Sequence, residues 1–175
     1  MYIRKDALSG GQNPYLVMES GKGKEIGMDV MLLVLEAGET AVLHEPEKET
    51  ALLLFCGEAI WSADGTEKRV SRESEFTQEA SCLHAPAGTK IMVRAMRHSE
   101  IYVQRVKNER KFTPVFYMPE DISVQRAGVS ELQGTMRRNI KTVFDLENAP
   151  YSNMVLGEVL NFPGKWSSYP PHFHP

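Results

Sequence analysis

The run Ala51-Leu52-Leu53-Leu54-Phe55-Cys56, closed by Gly57, is apolar throughout and too short for a typical helix. A second run of the same kind, Val30-Met31-Leu32-Leu33-Val34-Leu35, ends at Ala37-Gly38. Short apolar runs that are bounded by turn residues are typical of strands buried on both faces. The two runs therefore predict neighbouring strands in a buried sheet.

The same pattern recurs on both sides of these runs. Residues 91–93 and 101–103 are short apolar segments separated by the polar Arg97-His98-Ser99, and Asp64-Gly65 predicts a hairpin turn. Further β-patterns follow at residues 139–144 and 154–160. Strands at this spacing, with few candidates for long amphipathic helices, predict an all-β sandwich or barrel.

The amino-acid composition and net charge indicate which classes of molecule this protein can bind. The chain has 175 residues, of which 42% are hydrophobic and 25% charged, as in ordinary globular proteins. Its net charge of −3 argues against nucleic acid, which needs a basic surface. Neither a secretory signal nor an apolar run of membrane-spanning length is visible. We expect a cytoplasmic protein that handles a small polar molecule, with no membrane partner and with Cys56 and Cys82 as buried free thiols.

A change of composition near residue 110 predicts a domain boundary. Residues 107–111 are strongly charged, and residues 112–121 contain two prolines. We therefore predict an N-terminal barrel over residues 1–118, then a linker and the first strands of a second β-domain over residues 119–175. The second segment is too short to bury a core of its own. It must lean on the first domain, on a partner chain or on further sequence.

His172 and His174 form the strongest chemical signal. On a strand, residues i and i+2 point to the same face, so the two imidazoles would meet at one point. This arrangement suits a zinc-like ion, which nevertheless needs a third or fourth ligand. The alternative is a pair of surface histidines.

A second pattern resembles the two signature motifs of cupins, which are double-stranded β-helix barrels of jelly-roll type. The glycine-to-glutamate stretch over residues 38–49 places His44 at the first histidine position and Glu49 near the glutamate position. Pro46 and Ile91 stand where the two other histidines belong. The resemblance implies an N-terminal cupin barrel without a metal, in which His44 is a hydrogen-bonded residue at a strand end.

Residues 157–174, together with Arg138-Asn139-Ile140, resemble the 5-deoxy-glucuronate isomerase family of myo-inositol catabolism. The resemblance spans the chain, and residues 134–175 carry most of it. It implies a bicupin, and this chain would contain the first cupin and the beginning of the second. It also implies the conversion of 5-deoxy-glucuronate to 2-deoxy-5-keto-gluconate. It also implies a divalent metal, Zn or Mn, held by His172 and His174 in the complete enzyme. The remaining ligands would lie beyond Pro175, so we expect no metal and no activity in the 175-residue chain alone.

The substrate of that family carries a carboxylate, which a guanidinium binds in bidentate fashion. We therefore predict Arg138 as a substrate-binding residue. Lys165 is predicted to bind substrate because it lies close before the histidine pair in the family motif, while no catalytic base can be identified. Arg138 could equally be a solvated strand charge. Two other functions stay open: a related ketol-isomerase of pectin-derived uronates, and a metal-free cupin that binds sugar acids or acts as a scaffold. A homo-oligomer is expected in each case.

Several other polar residues are predicted to have no function. We expect the charge run over residues 45–49 to be a solvated loop, since it has no apolar periodicity. His84 and His98 are expected in or beside turns, and Met92 and Met96 are expected to fill the barrel.

Overall fold

Residues 8–167 are described by the computed structural model, and 54% of these residues lie in β-strands or bridges. In chain order the elements are β1 (Gly11–Leu16), α1 (Gly21–Ile26), β2 (Asp29–Leu35), β3 (Thr40–His44), β4 (Lys48–Ala63), β5 (Thr66–Arg72), β6 (Cys82–Ala85), β7 (Lys90–Lys107), β8 (Val115–Tyr117), β9 (Ser123–Ala127), β10 (Arg138–Phe144) and β11 (Leu156–Asn161). Two short 3-10 turns lie at Pro119–Asp121 and Glu131–Gly134.

Two long antiparallel strands, β4 and β7, organise the barrel. They pair from Lys48 opposite Lys107 to Ala63 opposite Ile91. The first half of β4 and the second half of β7 lie in the order β1-β2-β7-β4-β6-β8. The other halves of the two strands pair with β5 and β3, respectively. The two strands therefore belong to both sides of the barrel.

Gly57 marks the place where β4 bends from one side to the other. The register between β4 and β7 shifts here, between Leu54 and Ala59. Gly57 has a φ of 109°, and a Cβ at this position would lie 2.3 Å from the carbonyl oxygen of His98. Only glycine adopts this backbone without strain.

The barrel interior is apolar. Leu52 and Leu54 point into it, and Trp61 closes it with no exposed surface. Burying a side chain of this size contributes roughly 1.5–3 kcal/mol. The outward-facing residues between them, such as Leu53, belong to a second core. The prediction of an all-β barrel is confirmed.

A separate three-stranded sheet, in the order β11-β10-β9, packs on the outside of the barrel. Val143, Phe144 and Leu156 from this sheet meet Ala51 and Leu53 from β4 in one buried cluster. The C-terminal segment therefore leans on the first barrel, the first of the three arrangements that were open. Its assignment as the start of a second cupin stays a prediction.

Predictions for two methionines, for residues 97–99 and for the two cysteines can be compared with the structure. Met92 and Met96 are 41% and 43% exposed on the outside of β7, so the prediction that they fill the barrel is wrong. Arg97-His98-Ser99 lies inside β7 and does not separate two strands. Cys56 and Cys82 are free thiols, as predicted, but only Cys82 is buried and Cys56 is half-buried.

Asp64 and Gly65 both have positive φ and join β4 to β5, which confirms the predicted hairpin turn. Among residues 8–167, we find no helix with the length and apolar character that crossing a membrane would require.

Candidate functional site

Arg138 begins β10, where it pairs with Ala127 of β9 and with Asn161 of β11. Successive strand residues alternate between the two faces of a sheet. Lys141 and Val143 face the barrel, because Lys141 pairs with Glu79 and Val143 lies in the shared core. Since strand residues alternate, Arg138 lies on the opposite face of this sheet.

A cavity of about 330 Å³ opens beside Arg138. Ile140 and Gln125, which are partners across β10 and β9, line it together with Ser130. Glu131 and Arg126 add one charge of each sign to the lining. The cavity is therefore polar, and it lies at the start of β10.

Among residues 8–167, the Arg138 guanidinium makes a single hydrogen bond. Its Nη1 donates to the carbonyl oxygen of Met136 over 3.1 Å. A guanidinium has five N–H donors in a planar fork, so several donors remain for a ligand. This is the arrangement that binds a carboxylate in bidentate fashion.

Lys165 lies at the same end of the sheet but does not line this cavity. The backbone N–H of Lys165 donates to the oxygen of Phe162 over 3.1 Å, and that of Trp166 donates to Thr135 over 2.8 Å. The Arg137 guanidinium lies 4.7 Å from the centre of the Phe162 ring. These contacts fold the segment after β11 against the residues before β10, and the Lys165 side chain is exposed.

His172 and His174 lie outside the described residues. Within residues 8–167, no three His, Cys, Asp or Glu side chains converge on a point where a metal could bind. His44 is exposed at the end of β3, while the Glu49 side chain is buried towards the three-stranded sheet. The two cupin-motif residues therefore do not share a site.

Glu49 and His84 instead form a buried polar pair that the sequence did not reveal. Both side chains have no exposed surface, and His84 Nε2 lies 2.9 Å from Glu49 Oε2. Glu49 Oε1 also accepts from the backbone N–H of Asn153 over 2.7 Å, and Ser152 Oγ lies 3.3 Å from both carboxylate oxygens. The predictions of a solvated loop at Glu49 and of a turn at His84 are wrong.

The surroundings of this pair explain the ionisation of Glu49. Burial alone would raise the pKa of Glu49, but hydrogen bonds from His84, Asn153 and Asn108 outweigh it and lower the pKa. The His84 ring stacks on Phe144 with centroids 4.3 Å apart, and its Nδ1 has no hydrogen-bond partner within the described chain. Glu49 is therefore an ionised acceptor that links the barrel to the segment before β11.

Lys48 is also buried, at the start of β4. Its Nζ lies 2.7 Å from Asp29 and 2.7 Å from Glu19. Burial would lower the pKa of Lys48, but the hydrogen bonds to these two carboxylates raise it overall. The solvated-loop prediction is therefore wrong for Lys48 as well.

A second polar contact joins the barrel to β11. Arg72 is fully buried at the end of β5, and its two Nη atoms donate to Glu158 over 2.9 and 2.7 Å. The same guanidinium donates to the carbonyl oxygens of Leu54 and Gln78. The geometry is bidentate and almost saturated, so Arg72 fixes β11 and has little capacity left for a ligand.

The long β4–β7 pair, shared by both sides of the structure, places the protein in the class of all-β barrels. An IolB-like protein from Salmonella typhimurium LT2 matches with a TM-score of 0.70 at 20% identity, over 82% of this chain and 53% of that one. A putative glyoxylate induced protein from Pseudomonas aeruginosa matches with a TM-score of 0.53 at 13% identity, over 70% of this chain and 45% of that one.

The chain belongs to the KduI/IolB family, whose model matches residues 2–175. It is 26% identical over 159 residues to a 5-deoxy-glucuronate isomerase of Geobacillus kaustophilus (strain HTA426), covering 89% of this chain and 55% of the relative. It is 23% identical to the enzyme of the same name from Geobacillus thermodenitrificans (strain NG80-2), with 89% and 56% coverage. The chain spans about half the length of the curated relatives it matches.

Proposed function

We propose that this protein takes part in the isomerisation of 5-deoxy-glucuronate to 2-deoxy-5-keto-gluconate. Family membership and the names of two curated relatives support an isomerase. The observation that carries the substrate class is the partly satisfied Arg138 guanidinium beside a polar cavity. A uronate carries the carboxylate that this guanidinium can bind.

Binding by Arg138 would orient the substrate for a proton shift between neighbouring carbons. The carboxylate takes the free guanidinium donors, while Gln125 and Ser130 can hydrogen-bond the sugar hydroxyls. Anchoring one end of a small molecule in this way removes rotational freedom and so assists the reaction. Nothing among the described residues identifies the base.

We propose His172 and His174 as two ligands of a divalent metal, Zn or Mn. Such an ion polarises a carbonyl and stabilises the oxyanion that develops from it. Metal analysis of the natural protein tests this: His172→Ala and His174→Ala should lower its metal content, and His98→Ala should not. An unchanged metal content in both variants would contradict the assignment.

The test of substrate binding is Arg138→Ala. Losing a hydrogen-bonded charge pair should weaken uronate binding about tenfold or more, measured by calorimetry with glucuronate as the stable probe. Arg94→Ala is the matched control, because Arg94 is exposed on β7 of the barrel. Equal affinities in the two variants would exclude Arg138 from the site.

The curated relatives extend over nearly twice the matched length, and we propose that their activity also uses the part that this chain does not match. We therefore expect the 175-residue polypeptide to bind uronate without converting it, as a homo-oligomer in the cytoplasm. Proton NMR of 5-deoxy-glucuronate incubated with the polypeptide measures turnover, and product formation would contradict this expectation. Uronate binding without turnover in the natural protein would favour a sugar-acid binding cupin.

A further inference from the structure

A second cavity, of about 400 Å³, lies between the outside of the barrel and the beginning of β11. Leu53 and Phe55 of β4 and Tyr102 of β7 form one side, and residues 155–158 form the other. Glu158 pairs across the sheet with Lys141, on the face opposite Arg138. This cavity is therefore distinct from the Arg138 cavity and shares none of its lining residues.

The barrel side of this cavity is aromatic and apolar. The rings of Phe55 and Tyr102 are stacked, with centroids 5.7 Å apart and planes inclined by 21°. Both residues are half-buried, and Leu53 beneath them is almost fully buried. Cavities of this size with an apolar lining and a few polar groups are typical of small-molecule sites between packed units.

The polar side chains of the lining offer acceptors and no spare donors. Tyr102 Oη donates to Gln104 Oε1 over 3.0 Å, and Gln104 Nε2 donates to Met154 Sδ and to the carbonyl oxygen of Val155. The remaining polar groups are the carboxylates of Glu75 and Glu158, which only accept when ionised. A ligand that binds here must supply the hydrogen-bond donors.

One of the two carboxylates in the lining has no ion-pair partner within the described part of the chain. Arg72 neutralises Glu158 through the bidentate pair described above. No ion pair of Glu75 is found between residues 8 and 167, although its backbone carbonyl accepts from Arg72 over 3.3 Å. An ionised carboxylate in a cavity that two aromatic rings also line attracts a cation and repels a carboxylate.

We propose that this cavity binds a small organic monocation, an ammonium or guanidinium group on a short apolar body. The cation faces Glu75 and the Tyr102 ring, and its apolar part covers Phe55 and Val155. The site is thus selective against the sugar acids that would bind at Arg138. The inference does not depend on the proposed isomerase function.

Three probes of one length test the charge selectivity: butylammonium, butyrate and butanol. Binding is followed by NMR through the methyl signals of Val155 and Leu156. Butylammonium is expected to shift these signals saturably, whereas butyrate should leave them unchanged and butanol should bind more weakly. Equal binding of butanol or butyrate, or no binding of butylammonium, would overturn the proposal.

The substitution Glu75→Gln tests whether the charge of Glu75 contributes to cation binding. The substitution is close in shape and leaves the backbone contact with Arg72 in place, so folding should be retained. Butylammonium binding should weaken about threefold, as for a partly exposed ion pair. Glu73→Gln is the matched control, because Glu73 is exposed on the same loop and does not line the cavity. Equal effects of the two substitutions would exclude Glu75.

Discussion

The carboxylate of Glu49 is buried and ionised, because neighbouring side-chain and backbone groups donate hydrogen bonds to it. His84 contacts its Oε2, Asn153 donates to its Oε1, and Ser152 lies near both oxygens. Ser152 and Asn153 come from the segment before β11, so the carboxylate joins two distant parts of the chain. A buried charge is tolerated only when it is paired and hydrogen-bonded, and here both conditions hold.

Replacing His84 should therefore be costly. His84→Ala leaves Glu49 buried without its ring partner and removes the stacking on Phe144, so we expect a loss of about 3 kcal/mol in the free energy of unfolding. Urea denaturation measures this change. His98→Ala should cost less than about 1 kcal/mol, because its ion pair with Glu36 is exposed. A similar, small loss in both variants would contradict a stabilising role for the buried pair.

The same pair predicts a pH dependence. The pKa of Glu49 is lower in the folded protein than its ordinary value of 4.5. Its contribution to stability is therefore fully present above pH 4.5 and is lost as the pH falls through the lower folded pKa. In Glu49→Gln, the free energy of unfolding should change less with pH over this acidic range. Glu109→Gln, at an exposed position, should keep the wild-type slope, and an identical slope in all three proteins would refute the assignment.

At the scale of strands, local apolar patterns were sufficient to predict much of the sheet. The run at residues 30–35 lies in β2, and that at residues 139–144 in β10. The start of β4 was missed because Lys48 and Glu49 are charged, and charge in a sequence indicates exposure. Their partners Asp29 and His84 are far away along the chain, so no local pattern shows that these charges are paired.

The residues of the candidate site could also be predicted only where a local sequence pattern indicates them. Arg138 was predicted as a binding residue because a strand pattern and a family resemblance coincide there, and its role stays a prediction. Gln125 and Ser130 were not, because they reach the cavity through the pairing of β9 with β10 and the turn that follows β9. Such residues become visible only when the register of the sheet is known.

The bend in β4 predicts the effect of a single methyl group. Gly57→Ala would place its Cβ against the backbone of His98 and Ser99, in a backbone conformation that disfavours alanine. We expect a loss of about 2 kcal/mol or more, measured by thermal unfolding. Gly10→Ala, which meets no atom within 4 Å, is the control. Comparable stability of the two variants would show that the bend tolerates a side chain.

In the whole molecule, two kinds of contact hold the three-stranded sheet on the barrel. The apolar cluster around Leu53 and Phe144 buries apolar surface between sheet and barrel. The Arg72–Glu158 and Lys141–Glu79 ion pairs fix the position of β10 and β11. The barrel has a core of its own in addition to this cluster, whereas the described part of the three-stranded sheet has only the shared one. The sheet should therefore open first.

Arg72→Met should reveal this order. Removing the guanidinium deprives Glu158 and the carbonyl oxygens of Leu54 and Glu75 of this donor, at a cost of about 3 kcal/mol. Hydrogen exchange should then accelerate in β10 and β11 while β4 and β7 stay protected. Arg69→Met is the matched control, since Arg69 lies on the same strand but is largely exposed. Uniform acceleration throughout the protein would mean that barrel and sheet unfold as one unit.

The pairing of β4 with β7 also has a kinetic consequence. Lys48 and Lys107 can pair only after the long loop between them has closed. Loop closure costs chain entropy, and most of the contacts that compensate for this cost form later. Refolding should accordingly be slow for a chain of this size. Until the two strands have joined, their long backbones offer hydrogen-bonding groups to any neighbouring molecule, so aggregation during refolding should increase with protein concentration.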